Sequence, residues 1–73
     1  MNNFKDRLVE CLKASGVSQA ELAKRINMSK SVVNEYCSGK KKPSLDVLIL
    51  ICRALGESAD YLLGLVVNMQ LIN

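Results

Sequence analysis

Apolar residues recur every three to four positions along most of the chain. Each such stretch is bounded by a small polar residue in front and by glycine or asparagine behind. That is helical spacing with helical punctuation. Phe4, Leu8, Cys11 and Leu12 share one face of a first helix, which Asn3 can cap and which ends before Gly16. A second helix opens at Ser18-x-x-Glu21, a capping box, with Leu22, Ala23 and Ile26 inward. Ser29 caps a third, with Val33, Tyr36 and Cys37 on its apolar side and Gly39 as a left-handed stop. Ser44 caps a fourth, with Leu45, Leu48, Ile49, Cys52 and Leu55 inward and Gly56 at its end. Ser58 caps a short fifth, with Tyr61, Leu62 and Leu63 before Gly64. Nothing before residue 65 alternates with period two, so the chain is predicted to be all-α, a compact five-helix domain.

The joint between the second and third helices is the most informative. Only Asn27 and Met28 separate Ile26 from the cap Ser29. Helices joined so tightly cannot lie antiparallel, and they cross as a helix-turn-helix. Asn27 stands where positive φ is needed, a conformation asparagine tolerates better than most residues. Ala23 is small enough for a close crossing. The third helix is thereby projected outward. At about 100° per residue, Ser31, Asn34, Glu35 and Ser38 face away from the core, with Lys30 at the N-terminal edge. A helix held in this way fits the major groove of DNA, where such residues meet base edges.

The tail "LVVNMQLIN" carries Leu65, Val66, Val67, Met69, Leu71 and Ile72, an apolar load that a small domain does not leave in water. Val67, Met69 and Leu71 alternate as a strand would, while Leu62, Leu65 or Val66, Met69 and Ile72 suit an extended fifth helix. Both readings stay open. Residues 1–64 are expected to form the DNA-binding domain. Residues 65–73 are expected to dimerise, with Tyr61, Leu65, Val67, Met69 and Leu71 at the seam; folding back over the monomer's own core is the alternative.

Composition narrows the chemistry. Seventy-three residues suffice for one domain, and 49% hydrophobic with 4% aromatic content calls for an aliphatic core. No apolar run reaches the ~18 residues of a membrane span, and the N-terminus lacks a secretory segment, so a cytoplasmic protein is expected. Cys11, Cys37 and Cys52 share no CxxC spacing and lie on apolar faces, as buried hydrophobes would. The chain has no histidine, which disfavours a zinc site and removes the commonest general base. No nucleophile–base pair, phosphate-cradling glycine loop or paired-carboxylate site is evident. We therefore expect no catalysis, no metal, no cofactor and no small-molecule ligand. Charge is segregated. Residues 18–44 hold six cations against Glu21 and Glu35, a local +4, whereas residues 45–73 hold Arg53 against three acids, a local −2. A polyanion is expected on the basic side.

The motifs "SQAELA", "SGKKKPS" and "ALGESADYLLG" together resemble the XRE family of helix-turn-helix regulators, the lambda repressor and Cro type, over roughly residues 4 to 64. The resemblance implies a bacterial or phage-encoded five-helix protein that binds operator DNA as a homodimer. By position it puts Gln19 at a phosphate, through its side-chain amide and the helix N-terminus, with Ser18 beside it. It puts Lys30, Ser31 and Glu35 at base-reading positions, with Val32 against a thymine methyl; Asn34, on the same face, is counted with them. Ser38, Lys40 and Lys42 match phosphate contacts in the following loop, and Lys41 adds general attraction. The chain departs from the pattern at Leu12 and Cys37, where many relatives bury an arginine against a glutamate. Such a swap is often neutral or stabilising. Glu35 departs too: a carboxylate can accept from cytosine but repels phosphate. The resulting expectation is a sequence-specific transcriptional regulator, a Cro-like repressor whose nine tail residues are too few for an effector domain. The alternative is a protein-interaction module, such as an antitoxin or antirepressor, with DNA secondary.

Overall fold

The computed structural model describes residues 3–64. Five α-helices follow in order: α1 Phe4–Ser15, α2 Gln19–Ile26, α3 Lys30–Ser38, α4 Leu45–Leu55 and α5 Ala59–Leu62. Every start is written by a side chain. The oxygens of Asn3, Ser18, Ser29, Ser44 and Ser58 each accept from the backbone N–H three residues on, at 3.0–3.3 Å. Such a cap satisfies one of the donors a helix leaves unpaired, and its loss costs about 1 kcal/mol. The capping box at Ser18 is used differently from its sequence reading. Ser18 caps, but the Glu21 carboxylate accepts from Arg25 Nε at 3.2 Å.

α2 packs on α3 and α4, while α1 closes the other side against α3, α4 and α5. Leu8, Leu22, Val33, Ile51 and Leu62 are fully buried, one from each helix. Cys11, Leu12, Ala23, Ile26, Tyr36, Leu48 and Tyr61 complete the core, and Phe4, Val32, Cys37, Cys52 and Leu55 pack around it. Leu12 and Cys37 thus belong to one apolar cluster, where the family pattern would set an ion pair.

Two inward placements on α4 are corrected here. Leu45 is 71% exposed and Ile49 is exposed too, while Ile51, not foreseen, is fully buried. α4 is apolar on nearly all sides, so its own pattern does not say which side its neighbours cover. Leu63 is also exposed, because α5 ends at Leu62 and the chain turns away. Tyr61, expected at a subunit seam, is only 6% exposed within its own domain. Its hydroxyl donates to Glu10 Oε1 at 3.2 Å, and the Arg7 guanidinium lies 5.1 Å from its ring centroid. Burial and that hydrogen bond push the Tyr61 phenol above its ordinary pKa. Arg7 and Glu10, one turn apart on α1, therefore hold α5 in place. The other tail residues named for dimerisation, Leu65, Val67, Met69 and Leu71, lie outside the described residues.

Among the described residues no helix is long and apolar enough to cross a membrane. The three cysteines are free. Cys11 is pushed up to about 11, first by burial and then by the nearby Glu57 and Glu10 carboxylates, and burial raises Cys37 and Cys52 as well. They persist as thiols near neutral pH rather than as nucleophiles.

Candidate nucleic-acid interface

The turn between α2 and α3 sets the geometry. Asn27 adopts φ 58°, ψ 46°, and is the one non-glycine residue with positive φ among those described. Its N–H and that of Met28 donate back to the carbonyls of Lys24 and Ala23, at 3.2 and 2.9 Å. Those bonds close α2 while the chain changes direction. Ser29, in extended conformation, then restarts the helix at once. Ala23 and Ile26, each 4% exposed, fill the space beneath the turn. Arg25 braces the pair from behind. It reaches the Ala54 carbonyl at 2.9 Å as well as Glu21, so its charge serves the fold.

α3 stands on Val33 and Tyr36 and turns its other side outward. Lys30, Ser31 and Asn34 are exposed, Glu35 is half-buried, and these four line a shallow hollow with Lys40. Val32 is partly buried against the core, so only part of its side chain is available to a thymine methyl. Ser38 is exposed and donates to the Glu35 carbonyl at 3.2 Å.

A link that sequence reasoning did not foresee joins the two helices on this face. Asn34 Nδ2 donates to Gln19 Oε1 at 3.2 Å. With its oxygen accepting from Asn34, the Gln19 amide is left with N–H donors, the groups a phosphate needs. Asn34, expected among the base-reading residues, therefore also orients the Gln19 amide at the start of α2. Spacing alone could not reveal this, because the residues are fifteen apart. Ser18 Oγ accepts from Glu21 N, and its hydroxyl proton remains to donate. The loop lysines 40, 41 and 42 are all exposed, and the Lys41 N–H is tied to the Glu35 carbonyl at 3.3 Å. The face thus carries cations, amides and hydroxyls around one half-buried carboxylate.

The fold has known counterparts. The chain superposes on the P22 c2 repressor in its crystal structure with synthetic operator 9T, with a TM-score of 0.81 and 25% identity, covering 86% of this chain and 96% of that one. A transcriptional regulator from Listeria innocua superposes with a TM-score of 0.78 at 28% identity, covering 93% of this chain and 64% of that one. In sequence the chain is 39% identical over 59 residues to YobD, an HTH-type transcriptional regulator of Bacillus subtilis, covering 81% of this chain and 53% of that one. The chain spans about half the length of that curated relative. The family model described as helix-turn-helix matches residues 8–62. With most of its length matched, with Asn27 at the left-handed turn and with α3 presented outward, the chain belongs to the helix-turn-helix family of XRE type.

Proposed function

We propose that this chain is a sequence-specific DNA-binding transcriptional regulator, acting as a repressor, with α3 as its recognition helix. The observation that carries this reading is the polar face of α3, linked through Asn34 to Gln19 and bordered by the lysine loop. Its likeness to a repressor crystallised on an operator supports the same reading. In this reading Lys30, Ser31, Glu35 and the exposed part of Val32 meet base edges in the major groove, together with Asn34. Ser18, Gln19, Ser38, Lys40, Lys41 and Lys42 hold the flanking phosphates. The reading involves no catalysis, metal or cofactor, and places the protein in the cytoplasm, where DNA is reached.

Mutation should separate reading from anchoring. Lys30→Ala or Ser31→Ala should relax preference at particular base pairs, by about 1–3 kcal/mol each. Lys42→Ala should instead weaken all duplexes alike. Affinities measured on a selected operator and its single-base variants check this. If Lys30→Ala weakened every variant equally, Lys30 would be an anchor and not a reader.

The regulator works as a homodimer on a palindromic site, its two recognition helices one DNA turn, about 34 Å, apart. The strongly exposed Leu45, at the start of α4, and Leu63, just after α5, support protein contact by apolar surface, and the apolar sequence 65–73 follows Leu63 closely in the chain. Deleting residues 66–73 should leave a folded monomer with much weaker operator binding. A truncated chain that still sediments as a dimer at micromolar concentration would move the interface off the tail.

A further inference from the structure

The lysine run after α3 does not present one face. Lys40 lines the hollow on the outer side of the recognition helix. Lys41 and Lys42 instead line a groove at the start of α1, with Phe4, Lys5 and Tyr36. Lys5 reaches that groove across the loop. Its Cδ lies 2.7 Å, and its Cε 3.3 Å, from where a Cβ on Gly39 would sit. Any larger residue at 39 would displace this stem, and the φ of 83° there also favours glycine. The alkyl stem is thus laid against the backbone while the ammonium stays in water. A cation from the other end of the domain's sequence joins the two that follow the recognition helix.

We propose that Lys5 joins Lys41 and Lys42 in one phosphate-binding cleft, occupied by the backbone of the same duplex beyond the segment read by α3. This rests on the regulator reading above. Charge complementarity supports it, since three lysines line the groove and no carboxylate does. Asp6 lies beside it, with Oδ1 4.0 Å from Lys5 Nζ, but both side chains are more than 40% exposed, so the ion pair is weak and the ammonium can exchange it for a phosphate. Continuity supports it as well, because the Lys41 N–H is bonded to Glu35 on the recognition helix itself. Exposed ammonium groups gain little from a small hydrated ion. A duplex that releases counterions gains from each one neutralised.

The test is a salt series of operator binding by the full chain. Lys5→Ala should lower the slope of log affinity against log salt by about one, as Lys42→Ala should. Lys5→Gln keeps part of the stem on Gly39 and should give the same loss, while Lys5→Arg should keep the wild-type slope. Arg53→Ala, the same loss of charge at an exposed site in the last turn of α4, should leave the slope unchanged. Trimming the duplex outside the base-read segment should erase the difference between wild type and Lys5→Ala. The cleft is overturned if Lys5→Ala and Lys5→Gln keep the full slope while Lys42→Ala loses one unit. It is overturned equally if Arg53→Ala lowers the slope as much. Competition by inorganic phosphate at matched ionic strength would make the cleft a free-anion site and remove the duplex from it. A wild-type chain with no salt dependence would instead sink the regulator reading, so the two failures are told apart.

Discussion

Raising the salt from about 50 to about 200 mM should weaken operator binding by roughly 10³- to 10⁵-fold. Lys5, Lys40, Lys41 and Lys42 neutralise about four phosphates per subunit, or roughly eight per dimer, while Gln19 and the amides at the start of α2 add uncharged contacts. Each neutralised phosphate releases condensed counterions, and their dilution favours the complex less as bulk salt rises. Arg25 is not counted, because its guanidinium is spent on Glu21 and the Ala54 carbonyl. Fluorescence anisotropy across a salt series measures the slope directly. A flat response would remove DNA as the main partner and favour the protein-interaction alternative.

Leu22→Ala should destabilise the domain by about 2–5 kcal/mol, the range for deleting a fully buried leucine side chain and leaving a cavity. Leu22 has no exposed surface and lies in α2, which packs on both α3 and α4. No neighbour can close the gap without moving the recognition helix or α4. A domain of this size has only about 5–10 kcal/mol in hand, so the variant should lose a large share of its stability and melt well below wild type. Leu45→Ala, at the 71% exposed position, should stay within about 0.5 kcal/mol of wild type. Thermal unfolding followed by circular dichroism compares the two. Equal losses would mean that α4 turns its Leu45 side inward after all.

The limits of helices were legible because their signals are local. A serine or asparagine oxygen reaches a donor three residues on, and the left-handed stops fall on Gly16, Asn27, Gly39 and Gly56. The helix-turn-helix followed from the two residues between α2 and its neighbour's cap. The facing of α4 was less legible. "LDVLILICRAL" has too few polar positions to mark a solvent side, so Ile51 and Leu45 could be told apart only by what α1, α2 and α5 cover. Arg7 and Tyr61 were hidden for a related reason. A charged residue reads as surface and an aromatic near an apolar tail reads as interface, until the fold stacks one on the other. On the candidate interface, composition located the basic segment, but only backbone geometry sends Lys40 to one side of the loop and Lys41 and Lys42 to the other. The Asn34–Gln19 bond likewise needs the turn in place before it exists.

The five side-chain caps also bear on how quickly the chain finds this arrangement. Nucleating a helix is its costly step, since several residues are fixed for a single backbone bond. Here each nucleus has its own serine or asparagine oxygen, supplied from within the same turn, and needs no distant partner to begin. Small helical domains with mostly local contacts fold in roughly microseconds to milliseconds, and locally capped starts favour that range. α5 is the exception, with four residues and a dependence on Arg7 and Glu10 from the far end of the sequence. Its side-chain partners lie on α1, about fifty residues away in sequence, so the contact between α1 and α5 is expected to form late in folding.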